Sequence, residues 1–337
     1  MTDSPIDFVT AAPATGSLDV AWIHGAPSRR RARDPKIQVH SYDEHTVILR
    51  QSKSVHYEAP FIYLLFGNDR ALLLDTGATA DPGLFPLRET VDRLSAGWLG
   101  RHPRQRYELV VAHTHGHGDH VAGDGQFADR ADTTVVSREV EAVQQFFGFT
   151  GWPEQVVTLD LGGRVLEITG SPGHHRAAIT IYDPWSGFLL TGDTVLPGRL
   201  YVEDFPLFLA SLDRMVEFAG NHAVTHVLGC HVEMTDRPGR DYPVGATYQP
   251  RERAPEMTTG QLTAIREAAA SVAGERGVHK FGDFIIYNQP PNMRRLIARG
   301  LLYRQSDLRK LMAQGWVQKI RASVSRRRRS IGRPPAR

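Results

Sequence analysis

Val110-Val111-Ala112-His113-Thr114-His115-Gly116-His117-Gly118-Asp119-His120 is the stretch on which the reading of this chain turns. Its apolar start predicts a buried strand over Leu109–Ala112, running directly into a loop dense with histidine. In that loop His115, His117, Asp119 and His120 place four donors within six residues. Imidazole and carboxylate are the usual ligands of zinc and other divalent first-row metals. An H-x-H-x-D-H spacing beyond a strand end can direct its donors toward two adjacent ions. Gly116 and Gly118 are expected to remove side chains that would crowd those donors. Single histidines are common in folded proteins; four donors this close are not.

Short apolar runs surround the loop. Upstream, Lys36–His40 and Thr46–Arg50 read as strands, and Phe61–Phe66 and Ala71–Asp75 as a hairpin around Gly67-Asn68-Asp69-Arg70. Both hairpin runs are apolar enough to be buried on two faces. Leu84 to Leu99 has helical spacing. Downstream, strands are expected at Thr133–Val136, Val156–Leu159, Arg164–Ile168, Ala178–Tyr182, Phe188–Thr191 and Val224–Leu228, with helices at Arg138–Phe147 and Leu207–Ala219. Early strands followed by alternating strands and helices predict an α/β chain of stacked sheets covered by helices. Thr258-Thr259-Gly260-Gln261 reads as a capping box opening a helix. Further helices are expected at Met293–Leu302 and Asp307–Ile320, the latter capped by Ser306. The organisation expected is a flexible arm over 1–35, a catalytic domain over 36–245, a helical extension over 246–320 and a basic, disordered tail over 321–337.

Composition bounds the function. A length of 337 residues with 41% hydrophobic and 23% charged residues is that of a globular chain. No apolar run is long enough to span a bilayer, and the N-terminus lacks the pattern of an export signal. One cysteine, Cys230, cannot close an internal disulfide, so a reducing cytoplasm is expected. The net charge of +3 conceals an acidic body and a basic end: beyond Asn292 there are 14 Lys and Arg against the single acid Asp307. That end suits an anionic surface, a partner or a second copy of the chain in a homo-oligomer, as well as plain solvation. The body shows no nucleic-acid footprint.

The sequence resembles the metallo-β-lactamase fold superfamily over about residues 37 to 245, in its glyoxalase II-like and lactonase-like branches. Besides His115, His117, Asp119 and His120, four further motifs stand in the family order: Asp75-Thr76-Gly77, Pro172-Gly173-His174, Gly192-Asp193 and Gly229-Cys230-His231. The resemblance implies an αββα sandwich. It implies one metal on His115, His117 and His174 and a second on Asp119, His120 and His231. Asp193 would bridge them with a hydroxide. Two zinc ions are the cofactors implied, with iron or manganese as substitutes. Asp119, beside the bridging water, would accept or relay its proton.

Other residues receive secondary roles. Asp75, an apolar-flanked carboxylate that needs a partner, is expected to orient the histidine loop. His113 and His175 are read as supporting the ligands or walling the pocket. Arg199 and Tyr201 are candidates for completing the oxyanion site. Cys230, alternating with His231, should point to the core. Tyr57–Phe61, Phe146–Trp152 and Leu200–Phe208 are aromatic and poor in Lys and Arg, and are expected to wall a pocket for a small acyl compound. The function expected is a binuclear metallohydrolase of a small ester, thioester or lactone. The competing readings are a β-lactamase, a nuclease or phosphodiesterase, and a mononuclear iron sulfur dioxygenase. Asp193 argues against the first, since secreted β-lactamases of this fold usually lack it.

Overall fold

The computed structural model describes residues 4–9 and 15–290. Three antiparallel strands, β1 (Ile37–Ser41), β2 (Thr46–Gln51) and β3 (Phe61–Phe66), open the first sheet. β4 (Arg70–Leu74) returns through the expected tight turn. Helix α1 (Leu87–Arg101) then crosses over, so β5 (Glu108–Ala112) lies parallel to β4. A single turn, α2 (Gly118–Val121), precedes β6 (Thr133–Val135), again parallel. The strands lie in the order β1-β2-β3-β4-β5-β6.

Beyond α3 (Val140–Phe147), strands β7 (Val156–Asp160), β8 (Val165–Gly170), β9 (Ile179–Asp183) and β10 (Phe188–Gly192) form an antiparallel run. β11 (Arg199–Val202) leaves that sheet, and α4 (Phe205–Asn221) leads back to β12 (His226–Gly229), parallel to β10. β13 (Glu256–Met257) adds the outer strand beyond β12. After α5 (Thr259–Ser271), β14 (Gly277–Lys280) and β15 (Ile285–Asn288) join β11 in a third, small sheet.

The strand period of two explains how the layers close. Every residue of β3 is buried. Phe61, Tyr63 and Leu65 meet Leu166, Ile168, Ile181 and Leu190 of the second sheet, forming the central core. Ile62, Leu64 and Phe66 face the other way, onto Val91 and Trp98 of α1. The outer face of the second sheet, through Leu189 and Val227, packs on Leu212 and Met215 of α4 and Leu262 and Ile265 of α5. Helix, sheet, sheet and helix are stacked in that order, as expected.

Three expectations change. The helical extension from 246 is, in its described part, one helix and three strands, and Thr247 to residue 290 belongs to the same compact unit as the strands before it. The arm is held in place where it is described: Phe8 is 6% exposed and meets His45 and Trp185 edge-on at 5.3 and 4.9 Å. Phe147 and Phe149 belong to the central core rather than to a pocket wall, as do Leu200, Phe205 and Phe208 to the core under α4. The helices expected at Met293–Leu302 and Asp307–Ile320, and the basic tail, lie outside the described residues.

Candidate metal centre

The histidine loop leaves the buried end of β5 between the two sheets. His115 Nε2, His117 Nδ1 and His174 Nε2 converge there, 2.9, 3.1 and 3.2 Å apart. His174 arrives on the turn after β8, where Gly173 has φ +135° and lies against the Phe208 backbone; a Cβ would come within 2.3 Å of the Phe208 Cα. Beside this trio stand Asp119, His120 and His231. His231 Nε2 lies 3.4 Å from His120 Nε2 and 3.3 Å from Asp119 Oδ2. Asp193, just past β10, joins the two groups. Its Oδ2 is 3.5 Å from His120, 3.5 Å from His231 and 3.8 Å from His174. Within each set, His115–His117–His174 and Asp119–His120–Asp193–His231, the donor atoms all lie within 4.8 Å of one another.

These donors fit divalent ions. A tetrahedral site with zinc–nitrogen bonds of about 2.0–2.1 Å has ligand edges of about 3.3 Å. The second nitrogen of most rings is committed elsewhere, which fixes the tautomer. His120 Nδ1 donates to Asp75 Oδ2 at 2.8 Å, His174 Nδ1 to the Tyr201 carbonyl at 2.7 Å, and His231 Nδ1 to the Glu58 carbonyl at 3.1 Å. In their neutral form these three rings turn the remaining lone pair toward the centre, where a cation can be received. Asp193 Oδ1 is buried with no hydrogen-bond partner.

Electrostatics point the same way. Burial raises the cost of ionising Asp119 and Asp193, yet His120 and His231 outweigh it and hold both carboxyls well below their usual range. Burial opposes charge on His231, but Asp193 and Asp119 lift it to about 9. His174 is pushed down to about 4, chiefly by burial, and stays neutral with a free lone pair. The carboxylate pair calls for positive charge at this spot, and His115 and His174, both held neutral chiefly by burial, offer nitrogens beside it.

Asp75 stands behind the ligands as expected. It is fully buried at φ +73° and accepts from the Thr114 amide at 2.7 Å and the Thr114 hydroxyl at 2.9 Å. Cys230 Sγ lies 3.3 Å from its Oδ2, so the thiol, buried as expected, also props this carboxylate. His113 turns away to Asp124 at 2.8 Å. His175 lies beside the first trio, its ring 4.9 Å from that of His117, and burial with the neighbouring imidazoles pushes it down to about 4. Gly116 has little room for a side chain, since a Cβ would lie 3.1 Å from the His175 ring and 3.2 Å from the Arg138 carbonyl; a Cβ at Gly118 would meet open space, contrary to expectation.

Arg199 does not serve the oxyanion role expected of it. It is 4% exposed, and its guanidinium is held by Glu233 at 2.6 Å, Asp241 at 2.9 Å and the Tyr242 carbonyl. The fork is fully used inside the fold. Tyr201 does reach the site, through its carbonyl on His174, and its ring meets Tyr287 at 4.9 Å. Two residues lie in the expected wall segments Tyr57–Phe61 and Leu200–Phe208 but were not singled out by the sequence reading. The Glu58 carbonyl holds His231, and its half-buried carboxyl is raised to about 7 by burial and then by Asp119. The Glu203 carboxylate lies 3.8 Å from the outer nitrogen of His117. Neither sits in a motif with recognisable spacing.

A family profile described as the metallo-beta-lactamase superfamily matches residues 58–249. A hydroxyacylglutathione hydrolase from Synechococcus sp. (strain JA-2-3B'a(2-13)) is 31% identical over 46% of this chain, and the chain spans 58% of that relative's length. An acyl-coenzyme A thioesterase from Gallus gallus is 25% identical over 64% of this chain and 88% of its own. A metallo-beta-lactamase from Erythrobacter litoralis superposes with a TM-score of 0.48 at 14% identity, over 71% of this chain and 98% of its own.

Proposed function

The chain belongs to the metallo-beta-lactamase superfamily, and from that premise we propose that it is a binuclear metal-dependent hydrolase of a small ester, thioester or lactone. One observation carries the reading: two sets of metal-binding donors side by side, with the Asp193 carboxylate facing both. His115, His117 and His174 would hold one ion, Asp119, His120 and His231 the other, and Asp193 both. Zinc suits this donor set, and iron or manganese are substitutes. When bound, such ions supply a water acidified toward neutral pH and a Lewis acid for the acyl oxygen.

The chain's own residues do the rest. The Asp119 carboxylate, more open than that of Asp193, would take up a proton from the attacking water. Asp75, the Tyr201 carbonyl and the Glu58 carbonyl would keep His120, His174 and His231 in the tautomer that faces inward. Tyr57 and Tyr201 would wall the acyl group. A hydroxyacylglutathione hydrolase and an acyl-coenzyme A thioesterase among the relatives support the reaction class. A cytoplasmic setting fits the single cysteine, and among the described residues no helix is long and apolar enough to cross a membrane.

The experiment is metal analysis of purified protein, followed by a panel of thioesters, esters, lactones, a β-lactam and a phosphodiester. About two equivalents of a first-row metal are expected, with chelation abolishing hydrolysis. Asp193→Ala should lower kcat/KM at least about a hundredfold. A fully active Asp193→Ala protein, or a phosphodiester preferred over every acyl substrate, sinks the proposal.

A further inference from the structure

His174 is held from outside its own turn. Its Nδ1 donates to the Tyr201 carbonyl at 2.7 Å. The carbonyl of the preceding residue, Gly173, accepts the amides of Glu203 and Asp204 at 2.8 and 3.0 Å. These partners lie on β11 or just past it, so β11 sets where this ligand stands. The second position is held differently. His120 rests on Asp75, just past β4, and His231 on the Glu58 carbonyl, before β3.

A strand's backbone bonds run to its neighbours, so four residues such as β11 are fixed by what they pair with. That partner is β15, parallel to it, with Tyr201 opposite Tyr287 and Val202 opposite Asn288. The Ile285 amide donates to the Gly198 carbonyl at 2.9 Å on this edge. On the other edge the Arg199 amide donates to Glu233 at 2.6 Å, and the Tyr201 carbonyl receives His174. Two side chains strengthen the join. Tyr287, 8% exposed, sets its ring 4.9 Å from that of Tyr201. Gln289, one residue past β15, donates from its side-chain amide to the Glu203 carbonyl, and its side-chain oxygen accepts from Arg276 at 2.7 Å. Glu203 in turn places its carboxylate 3.8 Å from the outer nitrogen of His117, a second donor of the same trio.

We infer that the β14–β15 hairpin sets the affinity of the first metal position, with Tyr287 and Gln289 as its positioning residues, while the second position depends on the first sheet. The family profile ends at residue 249, before this hairpin begins at Gly277, so the strut lies outside the matched region. The inference rests on the binuclear reading and adds an inequality to it. A chain whose hairpin is disturbed keeps the ion on Asp119, His120 and His231 and releases the ion on His115, His117 and His174.

The test uses the full chain, stripped of metal and titrated with zinc against a chromophoric chelator. The unaltered protein should take about two equivalents. Gln289→Ala and Tyr287→Ala should each weaken one equivalent at least about fivefold and leave the other within about twofold. Tyr287→Phe keeps the ring and should restore most of the affinity. Gln289 lies at the surface, so its variant carries the test if Tyr287→Ala does not fold. Double-mutant cycles identify the ion that is lost. Added to His174→Ala, Gln289→Ala should change the remaining affinity no further; added to His231→Ala, it should keep its full effect. A purely structural role would give the same loss in both backgrounds. That outcome, equal weakening of both ions, or no change in either overturns the inference and leaves the binuclear reading standing. Fewer than two equivalents in the unaltered chain removes both.

Discussion

Asp75 shows how much of the site depends on one residue that binds no metal. Its carboxylate takes the proton side of His120, the Thr114 amide and the Thr114 hydroxyl, so the ring nitrogen facing the centre keeps its lone pair. Asp75→Asn keeps the shape but places an amide opposite groups that donate. Metal affinity should fall about 10–100-fold, read by competition with a chromophoric chelator; a change under twofold would remove Asp75 from this role. His45, far from the ligands, carries a pH effect of its own. Its Nδ1 accepts the Trp98 indole N–H at 3.0 Å, which requires that nitrogen to be unprotonated. Burial, aided by Arg164 against Glu44, lowers its pKa from 6.5 to about 4. Between those values the unfolded chain binds a proton that the folded chain refuses. The stabilisation is complete above about pH 6.5, is lost as pH falls toward 4, and has a ceiling of about 3 kcal/mol. In urea unfolding, the native chain should lose about 2 kcal/mol more than His45→Gln between pH 7 and pH 5. Parallel losses in the two proteins would show that His45 does not carry the effect.

At the scale of elements, local chemistry was legible and distant pairing was not. The capping box at Thr258 is present as read: its hydroxyl accepts the Gln261 amide at 3.1 Å and the Gln261 side chain accepts the Thr258 amide at 2.9 Å. Thr258→Ala should cost about 1 kcal/mol in unfolding free energy and leave metal binding unchanged. The β3–β4 hairpin was visible because its turn lies between two apolar runs. β11 was not, because four residues have no measurable period and its partner β15 lies 86 residues on, Arg199 opposite Ile285. That missed strand explains Arg199. In sequence it looked like a free cation after a metal-binding motif; pairing with β15 draws it inside, among Glu233 and Asp241. Gly173 lies between these cases. Its motif was legible, but the reason for the glycine, a backbone contact with α4, needed the fold. Gly173→Ala meets both that contact and the left-handed backbone angle. It should lower stability by more than about 2 kcal/mol and weaken metal binding through His174, and retention of both would show that α4 can move aside.

At the scale of the molecule, charge and site occupy different parts of the chain. All the proposed ligands lie between residues 115 and 231, and among the described residues the last strand ends at Asn288. The basic excess lies beyond Asn292, in residues that no motif connects to the ligands. Removing residues 321–337 takes away seven arginines and moves the formal net charge from +3 to −4. A centre built wholly inside the body should not depend on that charge at short range, since fields from exposed groups are screened within about 10 Å at 0.1 M salt. The truncated protein should therefore cleave a neutral N-acetylcysteamine thioester with kcat/KM within about threefold of the full chain at that salt. Its retention on a cation exchanger should fall sharply. A loss in kcat beyond about tenfold, with metal content unchanged, would place the tail in the catalytic cycle or in an assembly that the cycle requires.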